Sequence, residues 1–305
     1  MSNSLLYIDF VFFFCYNCKI LHVMKIFSWQ DILRAHIPQS PCFGFFTGSA
    51  LTVGGFDGPH IGHRALCTGV LEYAKAENLQ SGVITFARSP RFTKQKDNYA
   101  GDISTLRLRL EKFEQWGFDF VVAIDFSCDF SRMEGVAFLQ TLLEQCAMRF
   151  LSVGQGFRCG YKGTEHTKGI ESFVTEHNCK FRLAPLVNVA SEHISSSLIR
   201  QYIVSGELQK TAKLLDRNFM LDMQDTAWVY KKHDCNFFYL TAERSDIMQV
   251  MPPNGIYRVT ITTHKTKAEF SALLHVESSN LRLEVPCIYE NAEFDVIAFE
   301  ADKNL

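Results

Sequence analysis

Excess charge of either sign is what this chain most lacks: its formal net charge at pH 7 is −2 over 305 residues. That balance removes any broad electrostatic case for nucleic acid or an anionic membrane, so anion binding must come from a few placed groups. A membrane-spanning run is missing too. The most apolar stretch, residues 5–15, is short and carries Asp9, whereas a spanning helix needs about 20 apolar residues. No basic segment precedes it, as a signal peptide would require. The ten cysteines form no framework: Cys15 and Cys18 have no second CxxC, and Cys128, Cys146 and Cys159 lack the Cys/His spacing of a zinc site. Buried, reduced thiols and a cytoplasmic location are therefore expected. There is no internal repeat and no low-complexity linker.

What is present supports a large core. Apolar residues make up 47% of the chain, 27 of them Phe, and the length suits one large domain plus a smaller one. Met24 opens a Met-Lys-Ile-Phe-Ser-Trp segment fit to begin a soluble domain, so residues 1–23 are expected to be an upstream extension.

Strand and helix patterns then alternate. Residues 50–53, 82–86, 118–124, 150–153 and 180–185 read as strands. Helices are expected over 29–35, from about 62, and over 105–116, 133–149, 166–177, 195–204 and 207–215, with loops between them. Such alternation predicts an α/β fold, a parallel sheet with helices on both faces. Ligands in such sheets sit beyond the carboxyl ends of the strands. After about residue 220 the pattern becomes short strands, at 227–230, 237–240, 255–262, 269–275, 281–285 and 293–299. A small antiparallel barrel or sandwich is the simplest reading. The expected division is therefore 24–220 and 221–305.

The chemistry concentrates in Gly-Gly-Phe-Asp-Gly-Pro-His-Ile-Gly-His at 54–63. A glycine turn opening a helix is a ready anion site, and His60 and His63 can both face it. Gly62 between them allows close backbone approach. Two imidazoles can donate N–H to phosphates and to the charge that builds on a leaving pyrophosphate. About 140 residues later, Ile-Ser-Ser-Ser-Leu-Ile-Arg at 194–200 offers hydroxyls at a helix start and the planar cationic fork of Arg200. Either segment alone would read as an ordinary helix start with incidental polar residues.

Together they resemble the bacterial FAD synthetase family. The first has the HxGH form of the adenylyl- and cytidylyltransferases, and the second is similar to that family's Ser-Ser-Thr-x-Ile-Arg. Val83 to Phe86 with Pro90, Ser104 to Leu106, Phe130, Val-Gly-Gln-Gly-Phe-Arg-Cys-Gly at 153–160, and the run from Ser205 to Arg217 follow other family segments in order. The resemblance implies a Rossmann-like nucleotidyltransferase domain that makes FAD and pyrophosphate from FMN and ATP with Mg²⁺. It implies His60, His63, Ser197 and Arg200 on the ATP phosphates, with His60, His63 and Arg200 catalytic and Ser196 nucleotide-binding. It places Gly54, Phe56, Asp57, Gly58 and Gly62 in the nucleotide turn. Gly154, Phe157 and Arg158 would lie toward the adenosine, and Phe86, Pro90 and Phe130 toward the flavin. No metal ligand is named.

The chain departs from the family pattern where Arg88 and Arg91 flank a Ser-Pro lacking the usual His, and where Ser127 and Gly156 replace Asp. Family members often carry a riboflavin kinase barrel, yet residues 228–249 lack its glycine-rich turn and Pro-Thr-Ala-Asn. Only Pro-Pro-Asn-Gly-Ile-Tyr-Arg-Val at 252–259 resembles it, so loss of the kinase activity is expected. Two other readings stay open: transfer to a different phosphorylated acceptor, and a non-catalytic flavin- or nucleotide-binding protein. Oligomeric state is not legible.

Overall fold

Short apolar segments, most of them closed by a turn, become the strands of a parallel sheet. The computed structural model describes residues 23–88, 99–126, 128–189, 192–224, 226–232 and 236–304. Six strands, β1 (Lys25–Ser28), β2 (Ser49–Val53), β3 (Gln80–Phe86), β4 (Phe120–Ile124), β5 (Met148–Val153) and β6 (Lys180–Leu183), lie in the order β1-β4-β3-β2-β5-β6. All neighbouring pairs are parallel. The helices are α1 (Trp29–Leu33), α2 (Ile61–Ala76), α3 (Leu106–Trp116), α4 (Cys128–Ser131), α5 (Gly135–Gln145), α6 (Thr167–Glu176), α7 (Ser196–Val204) and α8 (Leu208–Leu215).

Side chains alternate across a strand, so a sheet covered on both faces needs apolar residues at consecutive positions. That is what β2 to β5 carry. Leu51, Val53, Ile84 and Val122 enter one core layer with Trp29 and Phe138, whereas Ala50, Val83, Val121 and Phe150 enter the other with Leu66 and Phe113. From β2 the chain steps to β3 and β4 on one side, then returns to β5 and β6 on the other. The reversal between β2 and β5 opens a crevice beyond their carboxyl ends.

Two local expectations are corrected. Residues 24–46 hold a strand as well as a helix: β1 is an edge strand on β4 in which Phe27 alone is buried, too short for periodicity to reveal. The helix expected to run to 149 ends at Gln145, because Ala147 takes φ 48° and Met148 opens β5.

A hairpin of β7 (Asn188–Val189) and β8 (Glu192–His193) precedes α7. The rest is antiparallel: β9 (Met220–Asp222), β10 (Val229–Lys232), β11 (Phe237–Glu243), β12 (Gly255–Thr263), β13 (Glu269–Val276), β14 (Asn280–Pro286) and β15 (Phe294–Asn304). They form one curled, half-barrel sheet in the order β10-β11-β14-β13-β12-β15-β9. Its buried face, including Leu240, Val259, Leu274, Leu283 and Phe299, shares a core with Ile199, Ile203 and Leu215 of α7 and α8. Among the described residues no helix is long and apolar enough to cross a membrane.

Candidate active site

The 54–63 segment runs from the carboxyl end of β2 into α2, at the sheet's point of reversal. His60 is in extended backbone and serves as the N-cap: its Nδ1 accepts the backbone N–H of His63 at 3.2 Å. This bond leaves the ring proton on Nε2. His60 is 4% exposed, and its Nε2 is buried without a hydrogen-bond partner among the described residues, as is Nδ1 of His63. The two rings stack with centroids 3.6 Å apart and 17° between their planes, and Phe56 meets His63 edge-on at 5.1 Å. Burial lowers the His60 pKa to about 4, helped by Arg217 and His193. Burial, then His60 and Arg217, holds His63 well below its ordinary range. Both imidazoles are therefore neutral at pH 7 and act as N–H donors, not as fixed cations.

Arg217 supplies the positive charge nearby. Its guanidinium donates to the carbonyls of Pro59 at 2.6 Å and Leu215 at 2.9 Å. Burial pulls its pKa down to about 10, which leaves it cationic. The sequence reading placed Arg217 only in a family segment, without a site role. Arg109 was missed altogether. It is 3% exposed and donates to the Gly55 carbonyl at 2.9 Å, Thr85 Oγ1 at 3.1 Å and the Ala87 carbonyl at 2.9 Å, tying together the carboxyl ends of β2 and β3. The one available signal was its place on the buried face of α3 with Leu108 and Phe113.

The two sequence motifs meet. Ser195 caps α7 by accepting the Leu198 N–H, and Ser196 Oγ donates to the Asp57 carbonyl at 2.7 Å. Arg200 is paired with Asp57, Nη2 to Oδ2, at 2.5 Å, and its Nε donates to the Gly101 carbonyl at 2.9 Å. Asp57 Oδ1 accepts the backbone N–H groups of Ile103 at 2.8 Å and Ser104 at 3.1 Å. Burial, with Asp102 nearby, pushes the Asp57 carboxyl up to about 6 against the opposing pull of Arg200 and Arg109. Gly58 has φ +59°, and a Cβ there would lie 2.4 Å from Ile103 Cγ2. Gly62 backs onto the His60 ring, 3.2 Å from a would-be Cβ. Ser197 is exposed.

The carboxyl ends of β2 and β3, with the loop that follows β5, border a cavity of about 650 Å³. Val53, Phe86, Phe130, Phe157 and Arg158 line it with Phe126 and Phe138. Residues expected at the flavin and at the adenosine thus share one aromatic-walled space. Gly54 adjoins Phe56, and Gly154 and Gly156 face open space with nothing within 4 Å of a would-be Cβ. Pro90, Arg91 and Ser127 lie outside the described residues. Cys42, Cys67, Cys146, Cys159 and Cys179 are buried thiols without disulfide partners.

A family model described as FAD synthetase matches residues 45–198, half of the chain. The chain belongs to the FAD synthetase family. The matched span holds both FAD synthetase motifs, the HxGH turn and the serines that begin α7. Among relatives, the bifunctional riboflavin kinase/FMN adenylyltransferase of Buchnera aphidicola subsp. Schizaphis graminum is 25% identical over 218 residues, which cover 71% of this chain and 69% of the relative. The protein of the same description from Escherichia coli K12 is 27% identical over 215 residues, 70% of this chain and 68% of the relative. In fold, this FAD synthetase is similar to the crystal structure of a macrolide-efflux protein from Streptococcus pneumoniae. That likeness has a TM-score of 0.73 and 18% identity over 91% of this chain and 90% of the other.

Among the described residues no group of three or more His, Cys, Asp or Glu could hold a metal ion, and both oxygens of Asp57 are already engaged. The described groups at the site form no divalent-cation cage.

Proposed function

We propose that this FAD synthetase transfers the adenylyl group of ATP to FMN. A phosphate oxygen of FMN forms a bond to the α-phosphorus as the bond from that phosphorus to the bridging oxygen breaks, releasing FAD and pyrophosphate. The observation that carries the reading is the buried, neutral His60–His63 pair at the start of α2, whose ring nitrogens Nε2 and Nδ1 have no hydrogen-bond partner among the described residues, on the turn that follows β2, whose end borders the aromatic cavity.

The chain's own groups suit that displacement. His60 Nε2–H and the first amides of α2 are donors aimed by a rigid helix start, and they cost no reorganisation when charge moves onto pyrophosphate. Neutral imidazoles meet a polyanion without first releasing a proton. Arg217 adds a cation behind them. Arg200 and Asp57 keep the turn in shape, and Arg200 would contact phosphate from within that pair, with Ser196 and Ser197 at the helix start. Phe86, Phe130 and Phe157 provide flat apolar walls for an isoalloxazine or a purine ring, and Arg158 a cation at the rim. Pro90, outside the described residues, is proposed with them as flavin-binding. The transfer is direct, without a covalent enzyme intermediate, so positioning and charge stabilisation supply the rate.

The proposed enzyme acts in the cytoplasm and makes no FMN of its own, because the 228–249 segment lacks the kinase motifs. Incubating the full chain with MgATP and either FMN or riboflavin, then separating the flavins, tests both claims. FAD from FMN and none from riboflavin is the expected result. FMN or FAD from riboflavin would restore the kinase, and no FAD from FMN would overturn the transfer.

A further inference from the structure

The loop 101–104 has one edge on the glycine turn and the other on the second unit. On the first edge, Asp57 Oδ1 accepts the Ile103 and Ser104 amides, and Arg200 reaches the Gly101 carbonyl. On the second edge, the Asp102 amide donates to the Met248 carbonyl at 2.9 Å and the Val250 amide to the Asp102 carbonyl at 2.8 Å. The backbones meet closely enough that a Cβ on Gly101, at φ +114°, would lie 2.5 Å from the Val250 nitrogen.

Gln249 is the centre of that second edge. It is 3% exposed, and its carboxamide is fully used. Oε1 accepts the Asp222 amide at 2.7 Å, and Nε2 donates to the carbonyls of Ile103 at 3.0 Å and Met220 at 2.8 Å. One N–H on one side and two carbonyls on the other admit a single orientation of the amide. Asp222 continues the contact by accepting from Thr105 Oγ1 at 2.6 Å and from Arg107. The Ile103 side chain, which touches the Gly58 position, is buried within the second unit's core.

We propose that Gln249 is a positioning residue for adenylyl transfer. By fixing the 101–104 loop from the second unit, it fixes the two amides that hold Asp57, and through Asp57 both the HxGH turn and Arg200. The curled sheet thereby supports the transfer itself, independently of any kinase chemistry. This inference rests on the reading of the 54–63 turn as the nucleotide site.

The test uses the full chain with Gln249→Met, which keeps length and removes all three hydrogen bonds. Gln249→Glu is the second variant: it keeps the acceptor for Asp222 and loses the donor to Ile103, and it carries the test if the first does not fold. Amide hydrogen exchange is followed at Ile103 and Ser104, with Ile261, Leu274 and Leu283 as reference amides, alongside kcat and KM for ATP in FAD formation. The expected result is exchange at Ile103 and Ser104 about tenfold faster or more, reference amides as in wild type, and kcat/KM for ATP lower by about tenfold or more. Leu283→Ala, in the sheet core, should lower the melting temperature and leave kcat unchanged below it. Exchange at Ile103 and Ser104 as in wild type overturns the proposal, as does faster exchange with kcat and KM unmoved. Should the wild type make no FAD, the functional reading fails, and the exchange measurement alone still decides whether Gln249 holds the loop.

Discussion

Asp57 and Arg200, 143 residues apart, form an ion pair that is mostly buried: each is 12% exposed, and they meet at 2.5 Å. Removing one partner of such a pair leaves the other charge buried and unmatched, which costs about 3–5 kcal/mol. Arg200→Met is therefore expected to lower unfolding free energy by that order and to raise KM for ATP. Arg64 and Asp216, 58% and 61% exposed at 2.9 Å, provide the contrast, and Arg64→Ala should cost below about 1 kcal/mol. Denaturant titration of both variants checks the difference. Equal costs would mean that the Asp57 pair is not the clamp described.

The His60 ring both caps α2 and presents Nε2–H, and these roles can be separated. Asn is among the preferred capping residues, so His60→Asn should retain near-wild-type stability while turnover falls by roughly 10²–10³, the usual cost of losing one donor to developing charge. His63→Ala should fall by a similar factor. Steady-state FAD formation with melting curves reads both. Wild-type turnover in either variant would remove that histidine from the mechanism.

The depressed histidine pKa values make stability pH-dependent, with a definite sign. An unfolded His titrates near 6.5, and folded His60 at about 4, so between these values the unfolded chain binds more protons. The contribution is complete above about pH 6.5 and is lost as pH falls toward 4, on the order of 3 kcal/mol in all. The raised Asp57 carboxyl acts in the opposite sense over the same window, but two lowered histidines outweigh it, so thermal melts of the nucleotide-free protein from pH 7.5 to 4 should drop, and less so in His60→Asn. ATP should bind near pH 7.5 without net proton uptake at these histidines, since both imidazoles serve as neutral donors; calorimetry in buffers of different ionisation enthalpy measures it.

Two glycines of the site should respond differently to a side chain. Gly58→Ala must hold a Cβ 2.4 Å from Ile103 Cγ2 at φ +59°, and about 2 kcal/mol or more of destabilisation is expected. Gly156 has nothing within 4 Å of a would-be Cβ, and Gly156→Asp, the residue usual in the family, should change stability by no more than about 0.5 kcal/mol. Denaturation midpoints decide both.

Local chemistry makes much of this protein legible in its sequence. The HxGH turn, the serine cap of α7 and the apolar pairs of the central strands all express interactions within a few residues, and order along the chain preserves them. The parallel sheet and the antiparallel second unit follow from the same periodicities. Partners distant in sequence are another matter. Asp57 and Arg200, expected as separate contacts to nucleotide, are ion-paired to each other because α7 packs its first turn against the glycine turn. Arg109 reads as one more polar helix residue until burial leaves it the ends of β2 and β3 to bind. Gln249 lies in an unremarkable stretch, and its importance comes from three backbone groups, two of them 29 and 146 residues away. Such groups are held by burial without water, a condition that the packing of two units creates and that no window of sequence contains.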